Sequence, residues 1–457
     1  MQKTLFHKIL IIIGICVGIA LALMMIQSTI AERTASHEEA VRSIAADSVR
    51  EQSVTGPVLV IPYADEFEEP QESGDKEPKT VTMVQGVLHK SLIVYPNNLE
   101  VVGKIDIDRR YRGIHKVLIY SGQHTISGDF SIPTADALER SHKNSKLALG
   151  QAFVVIGIDD VRGIHKIPNM NWDGQQFEFQ QGSRLAAFPS GIHAPVGPIR
   201  FDNAAPIKFS FDLELDGIKR LSFTPVGKNN QFTLSSKWPH PQFSGRFLPP
   251  PQTRKIDANG FTATWAIPSL ATNAQQQLTD LIHPGTVPGA QAMELVDRFN
   301  VGFIEPINVY SQADRAVKYG LLFVVLTFAA FFLFEVLKRL PIHPVQYALV
   351  GLALALFFLL LISLSEQIPF YLAYLVASGA CILLNGFYLA HVLHNWKRGF
   401  GFGAALTLLY GVLYGVLQSE NNALLMGSVL LFTVLASIMI ATRKVDWYQL
   451  GKPEPVV

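Results

Sequence analysis

The sequence predicts a mixed fold: a six-helix α-helical membrane bundle, with one N-terminal and five C-terminal helices, plus a large β-rich, sandwich-like domain outside the membrane. Hydrophobic residues make up 49% of the chain and charged residues only 16%, which is too apolar for an ordinary soluble protein and too charged for one wholly in a membrane. Six apolar stretches reach the roughly 20 residues that a spanning helix needs. Between Ala31 and Asp314 the pattern changes to short segments of alternating apolar and polar residues, as in half-buried strands.

The six apolar stretches set the predicted domain boundaries. The first is too long for a cleaved signal peptide, although Thr29 and Ala31 offer a cleavage-like pattern, so we interpret it as a retained signal-anchor. The predicted spans are 9–30, 317–337, 345–364, 370–392, 402–417 and 423–441. The chain is therefore divided into a signal-anchor helix (1–31), a helical stalk (32–55), an outer β-rich domain (56–314), a five-helix transmembrane bundle (315–443) and a cytoplasmic tail (444–457).

Lysine and arginine predict the orientation, because short loops rich in these residues stay on the cytoplasmic side. Lys3 and Lys8 place the N-terminus there, and the basic pairs at 338–339, 397–398 and 443–444 fall on the same side when the helices alternate. The turns "SEQIP" and "QSENN" carry no lysine or arginine and fall on the other side. Both termini are thus expected in the cytoplasm and the β-rich domain outside.

The outer segment begins with the charged run "ERTASHEEAVRSIAADSVREQS", which predicts a helical stalk that ends at Gly56 and Pro57. Strand patterns such as "GPVLVIPY", "HKVLIYSG" and "IKFSFDLEL" follow and predict one or two sandwich-like units. The acidic stretch "DEFEEPQESGDKEPK" predicts a solvated loop between two strands. Both cysteines, Cys16 and Cys381, lie in apolar stretches, so the β-rich domain contains no disulfide.

Glu366, in the short turn between the third and fourth predicted spans, has two interpretations. It is either a topological turn residue in a wet headgroup layer, or it pairs with Arg315 or Lys318 at the outer end of the second span. In the second case the pair would dock the outer domain onto the bundle. Both interpretations stay open at the level of sequence.

Polar residues inside or beside the spans are further candidates, because such residues normally face the bundle interior. Glu335 lies close to Lys338 and Arg339 and is expected to pair with one of them at i, i+3 or i+4. Asn385, followed by Gly386, predicts close helix packing with an amide hydrogen bond. A metal site among His343, His391, His394 and Glu335 is not expected, because the histidine spacing does not match the metalloprotease pattern.

The segment "SSKWPHPQFSGRFLPPP" interleaves the aromatic residues Trp238, Phe243 and Phe247 with prolines. These side chains either tuck into the sandwich core or form an exposed aromatic ledge for an outside partner. The pentapeptide "RGIHK" occurs at 112–116 and again at 162–166, which hints at related strand units. His115 and His165 are more simply ordinary strand residues than a metal pair.

The sequence gives no indication of an enzyme. It contains no nucleophile elbow, no phosphate-binding loop, no dinucleotide fingerprint and no cysteine cluster, so neither a catalytic residue nor a cofactor or metal is expected. The formal net charge of +1 indicates no nucleic-acid surface. The partner that the hydropathy itself implies is the lipid bilayer.

A set of stretches spread over nearly the whole chain is specific when taken together: "GPVLVIP", "DVRGI", "SKWPHPQFSGRFLP", "DRAVKYGLLFVVLTFAAFFLFE", "HPVQYALVGLALALFFLLLISLSE", "LNGFYL" and "TRKVDWY". They resemble the CreD family, the colicin-tolerance inner-membrane proteins of Gram-negative bacteria. The resemblance implies an inner-membrane protein with a periplasmic domain, tied to envelope stress and regulated by a two-component system that responds to metabolism and β-lactam damage. It implies no reaction and no catalytic residues.

Two functional hypotheses from different classes follow. In the first, the periplasmic β-rich domain binds a periplasmic protein or cell-wall ligand, and the membrane bundle anchors the protein or relays that event. In the second, the bundle is a transporter or flippase and the outer domain receives its substrate. The small number of buried charges in the predicted spans favours the first, because ion-coupled pathways need deeper ionisable residues. The oligomeric state stays open.

Overall fold

The protein consists of two compact units. The structure, a computed structural model, describes residues 2–73, 80–113, 115–201, 205–282, 295–305, 309–338, 342–392, 396–418 and 423–443. A helical unit comprises residues 1–39 and 307–457, and a β-rich unit comprises residues 40–306. Long apolar helices and a large β-rich region are thus both present, which confirms the predicted mixed class.

Seven α-helices occur in the described residues. They are α1 (Gln2–Asp47), α2 (Ala274–Ile282), α3 (Val309–Lys338), α4 (Pro344–Ser365), α5 (Phe370–Val392), α6 (Trp396–Gln418) and α7 (Ala423–Thr442). Helix α2 belongs to the β-rich unit, as do the last residues of α1. A helix of 22 residues is about 33 Å long, which matches the hydrocarbon thickness of a bilayer.

Five candidate membrane spans are found in the described part of the chain, rather than the six that were predicted. They lie within α1 and α3–α6, at Phe6–Asp47, Tyr310–Phe332, Pro344–Ser365, Phe370–Val392 and Gly399–Gln418. The sixth predicted span, 423–441, coincides with α7, but the placement of several α7 side chains lies outside the described residues.

Aromatic side chains fill the interior of the helical unit. The Phe331 and Tyr347 rings lie 4.7 Å apart between α3 and α4, and the Phe357 and Tyr410 rings lie 4.7 Å apart between α4 and α6. Leucines such as Leu349, on the opposite side of α4, are exposed. An apolar surface of this kind on a long apolar helix is suited to contact with lipid.

Seventeen strands in the described residues build the β-rich unit. The longer ones are β1 (Gln52–Ser73), β2 (Thr80–Val94), β3 (Asn98–Arg112), β4 (His115–Phe130), β6 (Ala152–Ile158), β10 (Gly191–Gly197), β11 (Ile207–Ile218), β13 (Asn229–Ser236) and β16 (Gly260–Pro268). The shorter ones are β5 (Lys146–Leu149), β7 (Asn169–Trp172), β8 (Gln175–Glu178), β9 (Gln180–Gln181), β12 (Arg220–Thr224), β14 (Pro241–Gly245), β15 (Arg254–Asp257) and β17 (Phe299–Phe303).

These strands form two sheets. The nine-stranded sheet has the order β14-β17-β12-β1-β6-β10-β9, with β2 and β5 also paired to β1, and the eight-stranded sheet has the order β15-β16-β13-β3-β4-β11-β7-β8. Most neighbours are antiparallel, but β1 pairs with β12, and β3 with β13, in parallel.

Aromatic contacts join the two sheets across one shared core. Phe299 of the nine-stranded sheet lies 4.5 Å from the Trp265 ring and 4.9 Å from the Phe232 ring of the eight-stranded sheet. Phe223 lies 5.6 Å from Phe232. All four residues belong to the same buried cluster, so the two sheets pack as a sandwich without any disulfide.

Two local predictions for this region are wrong. The stalk does not reach Gly56 and Pro57: α1 ends at Asp47 and β1 begins at Gln52, because this segment already pairs with β12. From Asp65 to Ser73, the acidic stretch is a strand and not a loop. It continues β1 and pairs with β2 in an antiparallel ribbon, where the ladder bonds compensate for its weak strand propensity. Residues 74–79 lie outside the described part.

His124 is a buried titratable group in the sandwich core. The residue is 1% exposed, and neither ring nitrogen has a hydrogen-bond partner among the described residues. Gly103, opposite it on β3, and Gly122, two residues earlier, leave room for the ring, since a β-carbon at either position would collide with a ring nitrogen. Burial lowers the pKa of His124 to about 4, because the protonated form would lose its hydration.

This depressed pKa predicts acid sensitivity. The unfolded chain binds a proton at His124 near pH 6.5 and the folded chain only near pH 4, so the stabilising contribution is fully present above about pH 6.5 and is lost as the pH falls toward 4. We expect His124 to account for a loss of about 2–3 kcal/mol between pH 7.5 and 4.5.

Thermal unfolding of the purified protein over this pH range, compared with a His124→Leu variant, measures the effect. The variant is expected to lose less stability on acidification than the unmodified protein. The exposed His240, changed to Gln, serves as the control. Equal acid sensitivity of His124→Leu and the unmodified chain would contradict the assignment.

Candidate functional site

Glu366 lies at the C-terminal end of α4, and its partner is not the predicted one. Its side chain is only 11% exposed, and its Oε1 atom lies 3.7 Å from Nε of Arg33 on α1. The Tyr310 hydroxyl is hydrogen-bonded to the same carboxylate. Glu366 is thus a partly buried acid that joins α1, α3 and α4 within the helical unit.

The two cations that were proposed as partners of Glu366 are engaged within α3 instead. Lys318 Nζ lies 2.6 Å from Asp314 Oδ2, at i, i+4 on the same helix. The Arg315 guanidinium is 3.4 Å from the carbonyl oxygen of Ser311. The predicted Glu366–Arg315 or Glu366–Lys318 pair is therefore wrong, because Arg33, remote in sequence, occupies that place.

Glu335 on α3 also pairs with α1. Its Oε1 atom forms an ion pair with the Lys8 ammonium, and its Oε2 atom accepts a 2.8 Å hydrogen bond from the Tyr347 hydroxyl. Lys8 donates a second hydrogen bond, of 2.6 Å, to the carbonyl oxygen of Ile342. The sequence predicted that Glu335 pairs with Lys338 or Arg339. The side chains of those two residues lie outside the described part of the chain.

The two ion pairs hold α1 against the other helices at widely separated levels. Lys8 and Arg33 are 25 residues apart on α1, which corresponds to about 37 Å along a helix. That distance is close to the thickness of a bilayer with part of its headgroup layers. At both levels, a partly buried carboxylate of the helical unit has a cation of α1 beside it, which lowers the cost of burying the charge.

Asn385 belongs to an uncharged polar cluster between α5 and α6. It is 2% exposed, and its amide donates to the carbonyl oxygen of Cys381 at 2.9 Å, one turn earlier on its own helix. The link between helices comes from the Tyr410 hydroxyl, which lies 3.1 Å from Cys381 Sγ. The predicted close packing at Gly386 is seen, since a β-carbon there would lie 3.9 Å from backbone atoms of α6.

The aromatic segment of the β-rich unit packs mostly inward. Phe243 makes edge contacts with Phe261 and Trp265, 5.7 and 5.5 Å away, and Phe247 packs against the core. Trp238 is partly buried and donates a 3.1 Å hydrogen bond from Nε1 to the carbonyl oxygen of Ile304. These contacts favour the core interpretation over an exposed aromatic ledge.

The two "RGIHK" copies adopt different structures, so they do not mark related strand units. The first lies at the β3–β4 turn, whereas the second begins in a short 3₁₀ turn. In the second copy, Arg162 donates to the carbonyl oxygens of Ala45 and Ala46 and pairs with Asp160 at 2.7 Å, so it caps the end of α1. Burial raises the pKa of Asp160, but hydrogen bonds from Arg162 outweigh burial and hold the pKa below its usual value.

No group of three metal-ligating side chains occurs in the described part of the chain. His165 pairs with Asp216 at 2.5 Å, and His343 caps the first turn of α4. His391 Nδ1 lies 3.0 Å from the carbonyl oxygen of Phe387, and His394 lies outside the described residues.

The β-rich unit also contains a large cleft that the sequence did not predict. It has a volume of about 1070 Å³, slightly above the usual range of about 300–1,000 Å³ for small-molecule sites. Separate segments line it: the end of α1, the first residues of β1, the end of β6, the loop 187–190, the β11–β12 turn with β12, the end of β14 and the approach to β17.

Strand register builds the polar floor of this cleft. Ser53 of β1 lies beside Ser222 of β12, which in turn lies beside Asn300 of β17. One step further, the hydroxyl oxygens of Thr55 and Thr224 are 3.0 Å apart. Alternate residues of the same strands point to the opposite face and into the core, which explains why "QSVT" and "RLSFT" alternate as they do.

Basic side chains dominate the wall of the cleft. Six are basic and three are acidic: Arg42, Arg50, Lys219, Arg220, Arg246 and Arg298 against Glu51, Asp159 and Asp297. The alternating hydroxyl residues were the one usable signal for this site, because the basic residues come from distant parts of the sequence and form no motif.

The chain combines apolar helices long enough to span a membrane with a large β-rich unit that carries a polar, basic cleft. These features define a membrane protein of mixed architecture with a candidate binding site. The family model described as inner membrane protein CreD matches residues 4–448. The inner membrane protein CreD of Escherichia coli (strain K12) is 33% identical over 456 residues, covering 99% of this chain and 96% of that protein. The chain belongs to the CreD family of inner-membrane proteins, which confirms the resemblance seen in the sequence.

Solved structures give only weak likeness. An M1 zinc metallopeptidase from Deinococcus radiodurans aligns with a TM-score of 0.21 and 9% identity, covering 46% of this chain and 42% of that chain. Native yeast LTA4 hydrolase aligns with a TM-score of 0.20 and 9% identity, covering 53% of this chain and 35% of that chain. Scores this low carry no functional argument.

The Lys8–Glu335 pair generates a test of the helical unit. Glu335→Gln leaves the Lys8 ammonium without its carboxylate, and we expect the detergent-purified protein to lose about 1–3 kcal/mol of unfolding stability. The expected loss of stability is smaller than for a fully buried ion pair, because the Lys8 and Glu335 side chains are 22% and 13% exposed. Thermal unfolding measures the change.

The exposed Glu32 on α1 provides a matched control, since Glu32→Gln removes the same charge from a solvated site. Its effect should stay within about 0.5 kcal/mol. Comparable losses from both substitutions would show that the Lys8–Glu335 pair does not hold α1 in place.

Proposed function

We propose that this CreD-family protein is a non-enzymatic envelope protein tied to envelope stress and colicin tolerance. Its β-rich unit, on the periplasmic side, binds a periplasmic or cell-wall component, and its membrane helices anchor the protein or relay that event. The observation that carries this proposal is the cleft with its hydroxyl floor and basic wall.

The charge distribution of the sequence supports the orientation. Lys3 and Lys8 precede the first apolar stretch, and the basic pairs at 397–398 and 443–444 flank α6 and α7 on the side that alternation places with the N-terminus. The segment that folds into the β-rich unit then lies on the opposite, periplasmic side.

The cleft supports binding rather than catalysis. Its lining, as far as the structure describes it, includes neither histidine nor cysteine. The floor hydroxyls of Ser53 and Ser222 therefore have no imidazole beside them to act as a general base. Arginines and hydroxyls are instead groups that recognise and hold polar ligands.

The helical unit gives less support to a transporter or flippase. Its carboxylates Glu335 and Glu366 are each matched with a cation of α1. The cluster around Asn385 is uncharged, whereas an ion-coupled pathway normally requires ionisable groups at depth.

The orientation is tested by cysteine labelling. Cys16 and Cys381 are the only cysteines of the chain, so changing both to serine gives a clean background. We expect a cysteine at Asn259, in the β-rich unit, to react with a membrane-impermeant maleimide in cells with a permeabilised outer membrane. A cysteine at Arg443 should react only after lysis. The reverse pattern would contradict the proposed topology.

Partner binding is tested by photo-cross-linking in cells under cell-wall stress. A photoreactive phenylalanine at Pro189, an exposed residue that lines the cleft, should form an adduct. The same substitution at the exposed Asn259, which does not line the cleft, should not. Sensitivity of the adduct to a muramidase distinguishes cell-wall glycan from protein. Adducts at both positions, or at neither, would count against a macromolecular partner at the cleft.

A further inference from the structure

We infer that the part of the periplasmic or cell-wall component that enters the cleft of the β-rich unit carries at least two oxyanion groups, phosphate or carboxylate. This inference deepens the proposed function and rests on it for the cellular location of the site. The chemistry itself follows from the floor, the unbalanced cations and the size of the cleft.

The floor presents hydroxyl and amide groups in register. Ser53, Ser222, Thr55 and Thr224 are each at most 5% exposed, although they line a cleft, so they lie at its bottom. The Oδ1 atom of Asn300 is buried and has no hydrogen-bond partner among the described residues. Such a surface would be costly to bury under an apolar ligand. Its hydroxyls can donate to a ligand oxyanion, and the Asn300 oxygen can accept a hydrogen bond from a ligand O–H or N–H group.

The acids of the wall leave several cations unbalanced. Glu51 pairs with Arg220 at 2.6 Å, and Asp297 lies 3.7 Å from Arg246. Asp297 also accepts hydrogen bonds from Thr272 and Asn273, directly before α2, which hold its carboxylate in place.

Three cations of the wall remain available. The side chains of Arg42, Arg50 and Lys219 are exposed, and they form neither an ion pair nor a hydrogen bond with another described side chain. Guanidinium groups bind phosphate and carboxylate through paired hydrogen bonds, so this surplus selects for oxyanions.

Lys219 is held in an unfavourable backbone conformation at the rim of the cleft. It joins β11 to β12 with φ +57°, in the left-handed region where a non-glycine residue is disfavoured. Glycine would adopt this conformation at a lower cost, so the turn itself does not require a lysine. The Lys219 side chain lines the cleft and is therefore part of the proposed ligand site.

The volume of about 1070 Å³ exceeds what a single phosphate needs. The buried Phe188 and Val296 add apolar wall beside the polar floor. A ligand with several oxyanions on a larger organic frame matches this combination better than an inorganic ion.

The test measures binding of two probes to the purified full-length protein by calorimetry: inorganic pyrophosphate for phosphate chemistry and tricarballylate for carboxylate chemistry. At least one should bind, and the dissociation constant should rise with ionic strength. Arg50→Gln and Lys219→Gly should each weaken binding by about tenfold or more, while Lys219→Gly keeps or raises the thermal stability because it relieves the turn.

Two substitutions outside the cleft are matched controls. Arg184→Gly removes a cation from another left-handed position, φ +59°, and Arg254→Gln removes an exposed arginine of β15. Both should leave the dissociation constant within about twofold. The probe with the lower dissociation constant shows whether the cleft prefers phosphate or carboxylate groups.

Absence of binding of both probes up to about 10 mM, where affinity is negligible, would overturn the inference. So would binding that Arg50→Gln and Lys219→Gly leave unchanged. These outcomes are separate from the labelling of Asn259, which tests location: a cytoplasmic β-rich unit that still binds pyrophosphate would overturn the proposed function and keep the ligand chemistry.

Discussion

The ion pair between Lys8 and Glu335 joins parts of the chain that lie 327 residues apart, with the whole β-rich unit inserted between them. An apolar helix gains little by leaving lipid for other apolar helices, since both surroundings are equally free of water. Close packing of residues such as Ile19 and Leu23 holds α1 in the core, and charged and hydrogen-bonded contacts add to the specificity of that packing. Lys8 with Glu335 provides one such contact and Arg33 with Glu366 another, one toward each end of the apolar part of α1.

In the β-rich unit the corresponding constraint is strand register. A shift of β1 by one residue against β12 would turn Ser53 and Thr55 into the aromatic core and expose Val54 in the cleft. The burial of Val54 in the core, beside Phe223 of β12, opposes that shift. The same apolar contacts that stabilise the sandwich thus place the hydroxyls on the floor of the cleft.

The sequence predicted the fold class, the apolar spans and many strands because these follow from local hydropathy and alternation. It did not predict the partners of Glu335 and Glu366, since the nearest cations in sequence were Lys338, Arg339, Arg315 and Lys318, while the actual partners lie on α1. The ribbon at Asp65–Ser73 was missed because its pairing with β2, rather than its composition, makes it a strand. The cleft was missed because its cations come from distant segments, and only the alternating hydroxyls of β1 and β12 marked it.

The position of β1 in its sheet has a consequence for the order of events during synthesis. Although β1 is the first strand to be made, it lies inside the nine-stranded sheet, and Thr55 meets Thr224 across 169 residues of chain. At ribosomal rates of about 5–20 residues per second, the edge of β1 that will receive β12 stays unpaired for roughly 10–30 s. An unpaired strand edge is prone to pair with other chains, and here the exposed edge is kept short, because only Gln52–Thr55 wait for β12.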